Sequence, residues 1–270
     1  MIPRPIRTGA SFGLFALLIL IALISLVWLP YDPMAVDLND MLSPPSWSHW
    51  FGTDEFGRDV AARAMLGARI SVFLAAQTVF VAISIGTILG VLAGFIGGWT
   101  ERLIMMVGDA VLAFPAMLLA LGLVAVLGGS EHAIVIALAI AYLPATVRIV
   151  RSKVLSVRAA EFVEASLAVG DGPIYTMYRH VLPNALPPII VLATSLFGWV
   201  ILYESALSFL GVGVPPPTPS WGNMLAAARP YIDNAMWLSI IPGLCIVAAL
   251  FGVNLAGDAL RDHLDPRQSG

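Results

Sequence analysis

The most regular feature of the chain is a set of long intervals that contain no acidic or basic residue other than histidine. They run from Thr8 to Tyr31, Ile70 to Thr100, Ala110 to Ser130, His132 to Val147, His180 to Tyr203 and Asn234 to Gly257. A charge at the centre of a bilayer costs roughly 2.5–3.5 kcal/mol even on a lenient insertion scale, so such intervals mark membrane spans. The pattern predicts an all-α membrane protein with six transmembrane helices. The fourth interval is short for the roughly 20 residues a crossing needs and is expected to borrow a turn near Arg148. The second carries Gly86, Gly90 and Gly94, a spacing that puts small residues on one helix face and permits close packing. The first follows Arg4 and Arg7 as a signal peptide would. However, Phe12 to Leu29 is long enough to span and ends in bulky Val27, Trp28 and Leu29, so an uncleaved first helix is expected.

Composition agrees with a bilayer as the solvent. Charged residues are 11% of the 270 and hydrophobic ones 59%, against about 25% charged in an ordinary soluble domain. A net charge of -3 built from few charges argues neither for nucleic acid nor for a polyacidic ligand. The distribution of basic residues says more. With the N-terminus inside, Arg4, Arg7, Arg102, Arg148, Arg151, Lys153, Arg158, Arg179, Arg261 and Arg267 are cytoplasmic, and Arg58, Arg63, Arg69 and Arg229 are outside. That asymmetry obeys the positive-inside rule and places both termini in the cytoplasm. The single cysteine, Cys245, excludes an intrachain disulfide and sits in an apolar run, as a small buried hydrophobe would.

Three stretches between spans are long enough to have a role. Pro30 to Ala68 is outside and rich in Pro, Trp and acidic residues, and Gly211 to Asp233 is outside and opens with Pro215-Pro216-Pro217, which cannot continue a helix. Arg148 to Arg179 is inside. Within it Ser156 to Val169 reads as a short helix, closed by Gly170 and followed by a restart at Asp171-Gly172-Pro173, with the second helix ending before Pro183. An ordered amphipathic helix-turn-helix of this kind is either a docking surface or a cap on the bundle. No soluble domain is visible. The lack of an internal repeat counts against a secondary carrier made of two inverted halves.

No chemistry accompanies these elements. A P-loop needs Gly-Lys at the end of a Gly-rich loop, and the only lysine, Lys153, follows Arg151-Ser152. There is no His-Glu-x-x-His and no Gly-x-Ser-x-Gly, and histidines 49, 132, 180 and 263 share no metal-ligand spacing. Two acidic residues border spans and are candidates for the translocation pathway. Asp109 could alternatively pair with Arg102, and Glu204, near the outer end of the fifth span, could sit at the interface. In the outer loop Asp54, Glu55, Arg58 and Asp59 alternate with glycines, which reads as a self-paired plug or as a substrate contact.

Glu164-Ala165-Ser166, Gly170 and Leu182-Pro183 resemble the EAA loop of ABC importer permeases. Arg179-His180-Val181-Leu182-Pro183-Asn184 is similar to the variant in the dipeptide, oligopeptide and nickel branch of that family. Further matching segments are Trp50 to Asp59, Ala113-Phe114-Pro115, Glu204 to Gly211, Pro217 to Gly222 and Gly257 to Pro266. The resemblance implies the type I permease fold in a bacterial inner (cytoplasmic) membrane. Residues 1–68 would form the first helix and an extracytoplasmic loop, 69–258 the permease core with a coupling loop at 148–180, and 259–270 a cytoplasmic tail. It further implies a second homologous permease, two ATP-binding subunits that supply ATP and Mg, and an extracytoplasmic substrate-binding protein, with no cofactor or metal held by this chain. Glu161, Glu164, Ala165, Ser166, Gly170 and Pro183 would make the ATPase contact, and Asp54, Arg58, Asp59 and Trp221 the extracytoplasmic contacts. The expected cargo is a dipeptide or oligopeptide. Nickel is the alternative, toward which the Gly257 to Pro266 tail leans, and a stand-alone channel or secondary carrier comes after it.

Overall fold

The computed structural model describes residues 4–264; Arg267 and the end of the expected tail lie outside the described residues. The elements are α1 (Arg4–Ile24), α2 (Val60–Ile96), α3 (Gly98–Leu112), α4 (Ala116–Leu127), α5 (Glu131–Arg158), α6 (Glu161–Ala168), α7 (Pro173–Thr176), α8 (Leu182–Phe209), α9 (Trp221–Ala228) and α10 (Trp237–Leu264). Four helical segments are long and apolar enough to cross a membrane: α2, α5, the continuous run from Pro173 to Phe209, and Trp237–Asp262. The pair α3 and α4, which meet at 89°, counts as a fifth only if taken together, and the apolar part of α1, Gly13–Ile24, is shorter than a crossing. Among the described residues four or five spans therefore stand against the six expected. The break falls at Ala113-Phe114-Pro115, where Pro115 sets the start of α4 and disfavours helical backbone at Phe114. With α1 these elements occupy the six intervals without acidic or basic charge.

The α2 and α5 helices form the centre of the bundle, and their seam is made by the glycines. A Cβ on Gly90 would lie 2.6 Å from Val150 Cβ, one on Gly94 would lie 2.9 Å from Val154 Cγ1, and one on Gly86 would collide with Thr146. The four-residue spacing on α2 is thus matched by the four-residue spacing of Thr146, Val150 and Val154 on α5. Small residues let the two backbones approach, and dispersion contacts hold them there. The main apolar core continues outward from this seam through Ile134, Leu138, Ile201, Leu207 and Trp221, while a second cluster at the other end joins Val150, Val154, Val157, Val163, Val181 and Ile189.

Three boundaries differ from the sequence reading. The fourth span borrows three turns rather than one, since α5 runs through Arg148 and Arg151 to Arg158, and the short helix therefore starts at Glu161 instead of Ser156. Pro183 does not follow a helix end: a π-helical turn at Met177–Val181 carries α7 into α8, and Pro183 falls directly after that turn, inside the continuous run. The third interval, expected to begin a span at Ala110, is instead divided by the bend, with α3 running from Gly98 to Leu112 and α4 starting at Ala116.

The α3 helix crosses α5 steeply. Glu101 and Asp109, about 12 Å apart along α3, reach Arg151 and Arg148, which are only about 4.5 Å apart along α5. Asp109 therefore pairs with Arg148, at 2.6 Å, and not with Arg102. Arg102 instead lies over the Trp99 ring.

Candidate functional site

At the end of the bundle reached by α5, the chain folds back on itself as a knob. The α6 helix is held by its apolar side: Val163 is fully buried against Val157 and Val181 of the second core cluster. On its other side Glu161, Glu164 and Ala165 are all exposed. Ser166 faces inward. Its hydroxyl donates to Asp171 Oδ2 at 2.6 Å and lies 3.2 Å from Thr176 Oγ1, which ties α6 to the start of α7. Gly170 makes the turn between them at φ +99°, a left-handed conformation that costs glycine little and other residues much. Around this turn a large apolar surface is left in the open, with Phe162, Val169, Ile174, Tyr175 and Tyr178 exposed. A rim of carboxylates beside exposed aromatic and aliphatic side chains has the anatomy of a protein-docking surface.

The knob is coupled rigidly to the spans. Arg158 donates to the carbonyl of Phe95 at 2.8 Å, placing a cation at the C-terminal end of α2 where the helix dipole favours one. Arg151 and Glu101 join α5 to α3 through a half-buried ion pair. Packed valines thus join α6 to α5 and α8, and the two arginines join α5 to α2 and α3.

At the opposite end, residues 30–59 and 210–236 close over the bundle. Asp54 accepts from Phe56 N at 2.9 Å, Arg58 N at 3.0 Å and Arg58 Nε at 2.7 Å, and its carboxylate lies 3.3 Å from Arg63 Nε. Asp59 caps α2 by accepting from Ala62 N at 2.7 Å and lies 2.8 Å from His49 Nδ1. The outer loop is thus self-paired, as one of the two sequence readings had it. Trp221, almost wholly buried, donates from its indole to the Ala64 carbonyl at 3.0 Å and packs over Gly67. Ser220 starts α9 with a capping box closed by Asn223.

Glu204 is fully buried among hydroxyls. Ser208 Oγ donates to its Oε1 at 2.7 Å and Ser71 Oγ to its Oε2 at 3.1 Å. Ser208 Oγ also accepts from Val214 N at 3.1 Å, so the carboxylate joins α8, α2 and the loop before α9. Asp109, in contrast, is exposed in its ion pair with Arg148.

The structure thus gathers Glu161, Glu164, Ala165, Ser166 and Gly170 on one knob, with Pro183 a helix turn beyond it. Asp54, Arg58, Asp59 and Trp221 lie at the other end of the bundle, where Glu204 is enclosed. Sequence reasoning missed the apolar half of the knob, from Phe162 to Tyr178. The available signal was a cluster of large apolar side chains inside a charge-rich stretch of the chain. It also missed Ser71, a hydroxyl set in an apolar span with no local partner.

Comparison with known proteins agrees with this architecture. The family described as binding-protein-dependent transport system inner membrane component matches residues 86–270. The di/tripeptide transport system permease protein DppC of Pseudomonas aeruginosa is 44% identical over 96% of this chain and 88% of its own. The dipeptide transport system permease protein DppC of Alkalihalophilus pseudofirmus is 46% identical over 85% and 75%. Among solved structures, the methionine ABC transporter MetNI in an inward-facing conformation aligns with a TM-score of 0.62 over 74% of this chain and 94% of that one, at 20% identity, which establishes a shared fold. The chain belongs to the inner-membrane permease family of binding-protein-dependent ABC importers and has the type I permease fold.

Proposed function

We propose that this chain forms half of the translocation pathway of an ATP-driven importer of dipeptides or oligopeptides. Two ATP-binding subunits sit beneath the knob, a second, homologous permease completes the pathway, and an extracytoplasmic binding protein delivers the peptide to the end of the bundle that holds Asp54, Arg58, Asp59 and Trp221. These four hold the loops together from within and are not direct contacts, since all are buried or nearly so. The observation that carries this reading is the knob itself: α6 presents Glu161 and Glu164 beside an exposed apolar surface, in a family whose members work with a binding protein. Peptide cargo is supported by the names of the similar permeases. Glu164 would position α6 on the ATPase by a charge-assisted hydrogen bond, and Ser166 and Gly170 would set the angle of the knob. Closure of the motors around ATP would move α6, and α5 and α8 would follow, shifting the bundle between two accessible states. Orientation follows from the basic residues, with the knob and both termini in the cytoplasm.

The test is to purify the complex, identify the binding protein that accompanies it and measure which ligand stabilises that protein. Dialanine or trialanine at a hundredfold excess over its Kd should add about 2.7 kcal/mol and raise the melting temperature. Protection by nickel without protection by peptide would overturn the peptide assignment, and uptake that proceeds without ATP would overturn the importer assignment.

A further inference from the structure

A cavity of about 740 Å3 lies between the inner halves of α5 and α8 and the end of α10. That volume is within the range of small-molecule sites, roughly 300–1,000 Å3. Its wall carries two cations, Lys153 from α5 and Arg261 from α10, beside Asn184 and Ser195 of α8. The ion pairs of the described residues lie elsewhere, at Arg58, Arg63, Arg148 and Arg151. Lys153 is thus a cation lining this cavity with no described carboxylate at ion-pair distance, and the same holds for Arg261. Such a pair attracts an anion.

The same wall also offers acceptors. Pro187 and Pro188 stand inside α8 and line the cavity. Neither has an N–H, so the carbonyls of Pro183 and Asn184 one turn earlier receive no α-helical hydrogen bond. Both of those residues line the cavity too. The amide of Asn184 does not fill the gap, because its nitrogen donates to the His180 carbonyl at 2.7 Å. Two cations and two residues whose carbonyls lack an α-helical donor thus line one cavity. Between them the wall is apolar, with Ile149, Val191 and Leu192.

We infer that this cavity is a binding site for the zwitterionic backbone of a short peptide, on the cytoplasmic half of the pathway. Lys153 and Arg261 take the terminal carboxylate, and the carbonyls of Pro183 and Asn184 take the terminal ammonium. Side chains of the cargo meet the apolar wall, which grips by burial and tolerates variety in shape. The inference rests on the reading of the chain as a peptide permease. A site of this kind also ties the cargo to the motor, since Pro183 lies in the first turn of α8, which the π-turn joins to the knob.

The experiment uses the whole complex in detergent without ATP and without binding protein, so that the permeases alone hold the probe. Radiolabelled dialanine should bind saturably. Alanylalaninamide, which lacks the carboxylate, and N-acetyldialanine, which lacks the ammonium, should each compete at least tenfold less well than dialanine. Lys153→Gln with Arg261→Gln should weaken dialanine binding tenfold or more in a complex of unchanged subunit stoichiometry. Equal competition by the two blocked peptides, unchanged affinity in the double variant, or no saturable binding would each overturn the site. A phospholipid that co-purifies with the wild type and is lost from the double variant would overturn it in favour of a lipid. Dialanine uptake by the wild-type complex in proteoliposomes, measured in parallel, separates the two claims. Uptake without this binding removes the site and leaves the peptide permease standing; the absence of any peptide uptake removes the permease assignment.

Discussion

Glu204 shows how a charge-capable side chain is accommodated at the end of an apolar helix. Each carboxylate oxygen accepts from a serine, Ser208 on its own helix and Ser71 on α2, and Ser208 in turn holds the backbone of Val214. Removing the acceptor strands the donors. Glu204→Leu leaves two buried hydroxyls without their partner, at about 1–3 kcal/mol for each that finds no other. Glu204→Gln keeps one acceptor oxygen and supplies an N–H to a hydroxyl that can rotate. The leucine variant should therefore melt several degrees lower and be cut by protease between residues 211 and 220, and the glutamine variant should behave nearly as wild type. A leucine variant as stable and as protease-resistant as wild type would show that the hydroxyl cage holds nothing. From the sequence, Glu204 is visible as a polar residue bordering a span. Its partner Ser71 is not, because the two are 133 residues apart and nothing local links them. Asp54 is the opposite case: its arginine partner Arg58 lies four residues on, at a spacing that reads directly as self-pairing.

At the scale of elements, two glycines expected to matter do so for different physical reasons. Gly90 is buried in the α2–α5 seam, where a Cβ would come within 2.6 Å of Val150 Cβ. Gly170 has open space around it, but its φ of +99° excludes other residues at low cost. Gly90→Leu must force the helices apart, an overpacking cost of about 1–3 kcal/mol or more. Gly170→Leu strains one turn by about 1–3 kcal/mol and reorients α6 without touching the seam. Gly90→Leu should thus lower the melting temperature of the complex by several degrees. Gly170→Leu should lower it by no more than Gly90→Leu does and, unlike that variant, reduce peptide imported per ATP hydrolysed at least tenfold. The reverse pattern, or normal uptake by Gly170→Leu, would break the assignment of α6 as the coupling element. The spans were legible because charge exclusion by a bilayer acts on every residue of an interval. The helix ends near the cytoplasm were not, since α5 continues for three turns past the last apolar interval on the strength of Val150, Val154 and Val157 alone. Likewise the π-turn that carries the chain to Pro183 leaves no composition signal that separates it from a helix end.

For the whole molecule the sequence speaks more clearly about which end is which than about what faces what. The ten-to-four asymmetry of basic residues predicts an orientation for the bundle, and the fold separates the two ends cleanly, with the loops at 30–59 and 210–236 over one end of the spans and the knob at the other. The interior cavity was not legible, because Lys153, Pro187 and Arg261 come from three helices and only packing brings them to one wall. Orientation can be checked with thiols. Cys245 is only partly exposed on an apolar stretch of α10, and its replacement by serine clears the background. A cysteine replacing Trp47, 98% exposed in the outer loop, should then react with a membrane-impermeant maleimide on intact cells. In cells that lack the ATP-binding subunits, one replacing Val169, 86% exposed beside the turn of the knob, should react only after the inner membrane is opened. Because each position is highly exposed, a failure to react reports the membrane as the barrier and not burial in the fold. Val169 labelled first would invert the topology, and an inverted chain would present Glu161 and Glu164 to the side that holds no ATP. The same pair of cysteines tests the knob as a docking surface. In the assembled complex, with the membrane opened, the ATP-binding subunits should protect position 169 from the reagent while position 47 stays reactive. Equal reactivity with and without those subunits would place their contact somewhere other than the knob.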